Sequence, residues 1–213
     1  MENQTHGGSP SRSAPCSLDF FVEKSREKPK AFSHDRVETT KHEWLTPPEI
    51  LNALGPFDLD PCAPVPERRP WPTAARHYDI TDNGLLKRWE GRVWLNPPYE
   101  NDIAGAFLGR MAEHRNGIVL IFARVETGNW FDHIWSKADA VLFVRGRLRF
   151  YHATGKPADN CGGAPSALIA YGAENVESLR KSGIDGHLVI LANASVVAPA
   201  TLEPESTSDV VAG

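Results

Sequence analysis

The feature that most constrains the fold is a run of six residues at 117–122, Gly-Ile-Val-Leu-Ile-Phe, that contains no polar side chain. The run is far shorter than the roughly 20 apolar residues that a membrane-spanning helix needs. It also lacks the alternation of a strand with one face in water. Such a run is typical of a strand that is buried on both faces of a parallel sheet. We therefore expect a sheet covered by helices on both sides.

Other apolar runs alternate with helix-like segments around it. Strands are predicted at residues 57–60, 92–95, 140–144 and 166–171, and helices at 45–55, 103–115 and 129–137. Strands separated by helices of this length indicate βαβ units. The sequence therefore predicts an α/β protein with a Rossmann-like, mostly parallel, doubly wound sheet. Ligands of such sheets bind beyond the carboxyl ends of the strands, so the residues directly after the strands are the candidates for a site.

The first predicted helix has clear end signals. Thr46 is expected to be its N-cap, Pro47 its first helical residue and Glu49 the partner in a T-x-x-E capping box, and Gly55 ends it. In the two later helices, the side chains expected to pack into the core are Ile103, Phe107, Leu108, Met111, Trp130 and Phe131.

The two ends of the chain lack this periodicity. Residues 1–41 and 195–213 are predicted to be disordered arms on one folded domain, residues 42–194. Residues 41–190 carry 17 Lys and Arg against 18 Asp and Glu. This balance argues against a broad surface for polyanions, so any contact with nucleic acid must be compact.

Cysteine usage and the apolar runs bear on compartment and metals. The longest apolar runs are short and the first residues lack a signal-peptide core, so we expect a soluble cytoplasmic protein with no membrane partner. The three cysteines, Cys16, Cys62 and Cys161, include no C-x-x-C pair, and the histidines show no ligand spacing. We expect reduced thiols and no metal.

Directly after the predicted strand 92–95 comes the tetrad Asn96-Pro97-Pro98-Tyr99. Two prolines stop the strand because each fixes φ and lacks a backbone donor, so Asn96 is held at the strand end on a stiff turn. The Asn96 side-chain oxygen and the Pro97 carbonyl are both acceptors, which match the two N–H donors of an exocyclic amine. Tyr99 adds a flat face on which a planar base can stack. The alternative is a rigid turn without chemistry.

The tetrad is similar to the N-P-P-aromatic signature of amino-group methyltransferases. With four further motifs in order, residues 43–171 resemble the phage-type DNA N-6-adenine methyltransferase (Dam-like) family. Those motifs are Glu43-Trp44-Leu45-Thr46-Pro47-Pro48, Phe57-Asp58-Leu59-Asp60-Pro61-Cys62-Ala63, Asp82-Asn83-Gly84-Leu85 with Trp89, and Gly146-Arg147-Leu148-Arg149-Phe150. The resemblance implies a Rossmann-like S-adenosylmethionine-dependent methyltransferase fold, adenine in DNA as acceptor, and a phage or prophage setting.

The resemblance assigns the methyl donor to segments that precede the tetrad. Asp60 ends the first strand and is expected to pair with the donor's ammonium group, although Asp before Pro is also a common turn. Cys62 and Ala63 stand where related methyltransferases have glycines. The other candidates for the donor site are Trp44, Thr46, Pro47, Pro61 and Cys62, with Asp79 and Asp82 as candidates for the ribose.

Basic residues predict where DNA binds. Arg145, Arg147 and Arg149 alternate with apolar residues, so an extended strand would place the three guanidinium groups on one face, toward phosphates or simply toward water. Arg124 and Glu126 follow the buried strand on the cleft side and are candidates for substrate contact. The loop over residues 152–165 is expected to be mobile until DNA arrives.

The mechanism expected is direct methyl transfer to an adenine amine that has been extruded from the duplex, in an open cavity between Asn96 and Asp60. Two alternatives stay open. One is a methyltransferase for RNA bases or protein glutamine, and the other is an inactive nucleic-acid-binding module of the same fold. Since only 36 residues separate Asp60 from Asn96, no target-recognition domain fits between them. We therefore predict short or relaxed sequence specificity.

Overall fold

The structure is a computed structural model and describes residues 44–193. Its centre is one seven-stranded sheet with the strand order β2-β1-β3-β4-β6-β5-β7. The strands are β1 Leu59–Asp60, β2 Arg76–His77, β3 Val93–Leu95, β4 Gly117–Phe122, β5 Ala140–Val144, β6 Ser166–Tyr171 and β7 Gly186–Ile190. The predicted arms, residues 1–41 and 195–213, lie outside the described residues.

Strand directions divide the sheet into two parts. β1 to β4 are mutually parallel, and β6 runs antiparallel to both of its neighbours, β4 and β5. β7 at the edge is antiparallel to β5. The prediction of an α/β fold with a mostly parallel sheet is therefore correct, since β1 to β5 all run in the same direction. The observed sheet is nevertheless mixed, because β6 and β7 run in the opposite direction. No helix connects β5 to β6, and an antiparallel neighbour needs no crossover helix.

Helices cover both faces of the sheet. They are α1 Pro48–Leu54, α2 Asn101–His114 and α3 Ala173–Lys181, with a short 3₁₀ helix at Pro66–Arg68 and a π-helix at Trp130–Trp135. On one face α2 and the π-helix pack against alternate strand residues such as Leu95 and Val119. On the other face α1 and α3 pack against Trp94, Ile118 and their neighbours. β4 is buried on both sides, as its apolar sequence predicts.

The first helix starts differently from the prediction. Pro47 is the N-cap and Pro48 the first helical residue, and no side chain caps the helix. The capping box built on Thr46 and Glu49 is therefore wrong, and the Thr46 hydroxyl lies instead within hydrogen-bond distance of Asn96. The prediction that Gly55 ends the helix is confirmed.

The later elements follow the sequence more closely. The strands at 117–122, 140–144 and 166–171 are confirmed at both ends, and Phe107, Leu108 and Met111 of α2 are buried. Trp130 is buried, but Phe131 is 59% exposed, so its assignment to the core is wrong. α3, β2 and β7 were not predicted. None of the helices between residues 44 and 193 is long and apolar enough to cross a bilayer.

Candidate active site

The carboxyl ends of four parallel strands bring the predicted site residues to one edge of the sheet. Asp60 is the last residue of β1, Asp79 follows β2 by two residues, and Asn96 follows β3 directly. β4 ends at Phe122. Because β1, β2, β3 and β4 are neighbours in parallel register, these four positions share the edge at which α/β sheets bind ligands.

The Asn96 side chain is oriented by the segment that precedes α1. Its Nδ2 group donates to the carbonyl of Trp44 at 3.2 Å and to the hydroxyl of Thr46 at 3.4 Å. The Tyr99 hydroxyl donates to Asn96 Oδ1 at 3.4 Å. Since both amide hydrogens have acceptors, the amide is fixed with its oxygen on the side of Tyr99. Oδ1 keeps acceptor capacity for a further donor.

Tyr99 forms one wall of an aromatic cavity of about 320 Å³. Its ring stacks on Phe122 with 4.2 Å between the ring centroids and 10° between the planes. Trp44, Phe150 and His152 contribute further rings, and the segment 158–163 completes the lining. Burial raises the pKa of the Tyr99 hydroxyl above its ordinary value, and nearby Cys62 adds to the rise, so the group stays a protonated donor.

The lining of the aromatic cavity differs from the predicted one, which runs from Asn96 to Asp60. Its lining includes Tyr99 of the tetrad but neither Asn96 nor Asp60. Between the tetrad and β1 the structure has a contact instead, because the Cys62 thiol donates to the Asn96 carbonyl at 3.3 Å. A passage from the aromatic cavity to Asp60 stays a prediction.

Asp60 is a buried carboxylate with local hydrogen bonds. Its oxygens accept from the Thr73 hydroxyl at 2.5 Å and from the Cys62 backbone N–H at 3.1 Å. Burial raises the pKa of Asp60 to about 6, although both hydrogen bonds and the charge of Arg69 act in the opposite direction. This carboxyl is therefore costly to ionise without a further cationic partner.

His77 holds Thr73 in place beside Asp60. The Nε2 atom of His77 accepts from the backbone N–H groups of Thr73 and Ala74 at 3.2 and 3.3 Å. Burial, with a contribution from Arg69, lowers the pKa of His77 to about 4, so the ring is neutral and able to accept. Thr73 and His77 are site residues that the sequence reasoning missed, since no motif marks them.

Asp79 and Asp82 stabilise the turn that follows β2. Asp79 Oδ1 accepts from the N–H and the hydroxyl of Thr81, and Asp82 Oδ2 accepts from the Asp79 N–H. The next residues bring a glycine against the β1 turn, where a Cβ on Gly84 would lie 1.8 Å from the carbonyl oxygen of Pro61. A side chain at residue 84 would therefore clash with the turn after β1, and glycine is the residue that fits there.

Trp44 is held at the aromatic cavity by backbone pairing on the next residue. Leu45 exchanges two backbone hydrogen bonds with Tyr151, at 2.9 and 3.0 Å. The Trp44 ring lies 5.2 Å from that of His152. Trp44 therefore faces the same cavity as Tyr99, and the structure brings together parts of the chain that are about 50 and 100 residues apart in sequence.

The predicted arginine strand is not a strand. Residues 145–150 belong to no ladder of the sheet, although Arg145, Arg147 and Arg149 are exposed and Phe150 is buried, as the alternation requires. Arg147 donates to the carbonyls of Gly162 and Gly163, and Arg149 to that of Asp159 at 3.1 Å. These two arginines thus border the aromatic cavity through its 158–163 segment.

The other two arginine candidates differ from this pair. Arg145 pairs with the exposed Asp185 at 3.7 Å. The Arg124 guanidinium lies 5.8 Å from the centre of the Phe122 ring, close to the aromatic cavity. Among residues 44–193 no cluster of His, Cys, Asp or Glu is arranged to hold a metal ion.

Fold and site together define a class of protein. It is an α/β domain whose parallel strands present an oriented amide, buried and half-buried carboxylates and an aromatic cavity at one edge, as Rossmann-like ligand-binding domains do. The family model described as DNA N-6-adenine-methyltransferase (Dam) matches residues 33–181. The chain therefore belongs to the Dam family of DNA N-6-adenine methyltransferases, which confirms the resemblance seen in its motifs. No curated protein and no solved structure gives a significant match.

Proposed function

We propose that the protein transfers a methyl group from S-adenosylmethionine to the N6 amine of an adenine that has been extruded from DNA. The observation that carries this proposal is the Asn96 amide, which is fixed by Trp44 and Thr46 at the end of β3 and directs its oxygen toward the wall of an aromatic cavity. An exocyclic amine and a planar ring are what such a pair of features recognises.

The residues at the ends of β1 and β2 suit the methyl donor. Asp60 supplies a buried carboxylate for an ammonium group, and Asp79, in the turn after the adjacent strand β2, supplies a second carboxylate for a ribose diol. Ile80, which is 70% exposed beside Asp79, offers an apolar contact for a purine ring. When bound, S-adenosylmethionine supplies a methyl group on a positively charged sulfur, which keeps the bonding electron pair.

The aromatic cavity suits the acceptor base. Extruding a base from a duplex costs a few kcal/mol, and stacking on aromatic side chains offsets about 1–3 kcal/mol of that cost. We assign Trp44 to this role with Tyr99, and not to the donor pocket, because both rings line the same cavity. Asn96 Oδ1 and the Pro97 carbonyl accept the two amine hydrogens and direct the nitrogen lone pair.

The chemistry left to the chain is positioning and charge stabilisation. Positive charge develops on the amine nitrogen as it gains the methyl carbon, and two oxygen acceptors beside it stabilise that charge. Afterwards the nitrogen releases one proton to water. No side chain is required as a general base in this scheme.

Arginines beside the aromatic cavity suit the DNA backbone. Arg147 and Arg149 now donate to neutral carbonyls of the 158–163 segment. A phosphate forms a stronger, charge-assisted bond with a guanidinium group than a carbonyl does. We assign these two residues, with Arg124 and Arg145, to phosphates that flank the extruded base.

The test is an Asn96→Ala variant assayed with radiolabelled S-adenosylmethionine on duplex DNA. We expect transfer to be lost by a factor of at least about 100, because both the amine acceptor and its orientation disappear. Donor affinity measured by calorimetry should stay within about threefold of the parent protein, which is close to the resolution of such a comparison.

Asn193→Ala is the matched control, since that amide donates to Trp135 and Ala138 carbonyls near the end of the described chain. Parallel reactions with RNA and with protein separate the alternative acceptors. An Asn96→Ala protein that methylates DNA at the parental rate overturns the assignment, and a parent protein that does not bind the donor favours the inactive binding module.

A further inference from the structure

We propose that Cys62 is a positioning residue. Its thiol hydrogen bond couples the donor end of β1 to the turn formed by Asn96, Pro97 and Pro98. The inference rests on the proposed function, because it concerns how the two halves of that site are held in register. It assigns to the cysteine a role distinct from contact with the donor.

Two site residues form hydrogen bonds with Cys62. Its backbone N–H donates to Asp60 Oδ1 at 3.1 Å, and its thiol donates to the Asn96 carbonyl at 3.3 Å, across 34 residues of sequence. Tyr99, three residues after Asn96, packs against the same core cluster as Cys62. Cys62 thus bonds both Asp60, the carboxylate assigned to the methyl donor, and Asn96, the residue assigned to the adenine amine.

The turn after β3 needs such a contact because of its two prolines. Pro97 and Pro98 have no backbone N–H, so this part of the chain cannot be held by donors of its own. Asn96 is then fixed by what its own groups bond. The side-chain amide has Trp44 and Thr46 as partners, and the backbone carbonyl has Cys62.

The thiol is in the right protonation state to donate. Burial raises the pKa of Cys62 well above its ordinary value, and the neighbouring Asp60 carboxylate raises it further. A protonated thiol is a donor and a poor nucleophile. This argues against a catalytic or redox role for Cys62 and in favour of a structural hydrogen bond within the site.

The experiment compares Cys62→Ala, which removes the donor, with Cys62→Ser, which keeps one. We expect the alanine variant to lower kcat roughly tenfold, about what one misplaced hydrogen-bonded group costs, while KM for S-adenosylmethionine changes by less than about threefold. The serine variant should restore at least about half of the lost rate on the same scale. Ser136→Ala is the control, because it removes a hydroxyl that donates to a backbone carbonyl outside the site, that of Asp132 at 3.0 Å.

A second readout does not depend on activity. Asn96-Pro97 is the one Asn-Pro peptide in the sequence. Labelling asparagine carbonyls with ¹³C and proline nitrogens with ¹⁵N therefore gives a single coupled NMR signal from the accepting carbonyl. We expect this signal to move in Cys62→Ala and to stay near the parental position in Cys62→Ser and Ser136→Ala.

The outcomes are separable. An unchanged signal and an unchanged kcat in Cys62→Ala overturn the inference while the proposed function stands. A parent protein that transfers no methyl group overturns the proposed function, and the NMR signal then still reports whether the thiol bond exists. If Cys62→Ala fails to fold, Cys62→Ser is read alone: a serine variant with low kcat and a displaced signal contradicts the inference.

Discussion

The Tyr99 ring lies almost parallel to Phe122, with 4.2 Å between centroids and 10° between planes. Phe122 ends β4, whereas Tyr99 belongs to the turn after β3, so the stack fixes the tetrad against the neighbouring strand. One face of Tyr99 is therefore occupied by protein. The ring belongs to the wall of the aromatic cavity and is not free to swing across it.

This stack predicts a difference between two substitutions of Tyr99. Tyr99→Ala removes the ring and leaves Phe122 uncovered, so we expect DNA methylation to fall by roughly 100-fold. Tyr99→Phe keeps the ring and loses only the long hydroxyl contact to Asn96, so we expect a loss of no more than about fivefold. Single-turnover rates measure both. Equal losses in the two variants would mean that the hydroxyl, and not the ring, carries the role of Tyr99.

We predict that the Asp60 carboxylate strengthens binding of S-adenosylmethionine and lowers the stability of the folded protein. Its folded-state pKa of about 6 lies above the ordinary 3.8, so the unfolded chain gives up this proton first as pH rises. The free energy of unfolding therefore falls by up to about 3 kcal/mol between about pH 4 and pH 6, and it stays at the lower value above pH 6. Asp60→Asn should raise the melting temperature at pH 7.5, and the gain should vanish near pH 4.

The same variant should weaken binding of S-adenosylmethionine by roughly tenfold or more, because a charge-assisted bond is lost. Asp139→Asn is the matched control. Asp139 is equally buried, but it accepts two bonds from Arg115 and one from the Gly172 N–H. Its replacement should destabilise the protein by on the order of 3 kcal/mol. If Asp60→Asn destabilises as much as Asp139→Asn, the carboxyl is a structural residue.

Arg147 and Arg149 are predicted to act on DNA affinity and not on chemistry. Each glutamine variant should raise KM for DNA severalfold and reduce the slope of log affinity against log salt by about 0.9, the value for one phosphate contact. The control is Arg88→Gln, since Arg88 is exposed, pairs with Glu90 and precedes the amino end of β3. Affinity measured between 50 and 200 mM salt decides, and unchanged slopes would exclude phosphate contacts.

Target specificity is predicted to be short or relaxed. Between β1 and β3 the chain forms only a 3₁₀ helix, the two-residue strand β2 and the turns around Asp79 and Gly84. A stretch made of these short elements leaves no room for a separate module that reads several bases. Sequencing of modified bases after expression in a methylation-deficient host tests this. One long invariant site would contradict it.

Local sequence was sufficient for the elements whose residues determine their own environment. The run at 117–122 is buried on both faces because nothing in it can face water, and the tetrad ends β3 because proline cannot continue a ladder. The order of the motifs was sufficient for the family. In contrast, the reversed strand β6 and the edge strand β7 depend on pairing partners far away in sequence, which no local pattern specifies.

The site shows the same division. That Asn96, Asp60 and Tyr99 stand at strand ends follows from the sequence, since punctuation by proline and turn residues is local. Three contacts follow only from the tertiary structure: the Thr46 hydroxyl bonds Asn96 instead of capping a helix, Gly84 approaches the Pro61 carbonyl, and the Phe122 ring stacks on Tyr99. Each of these contacts joins segments that the sheet brings together. A polar or aromatic side chain has several possible partners in the sequence, and it contacts the one that the packed strands place within reach.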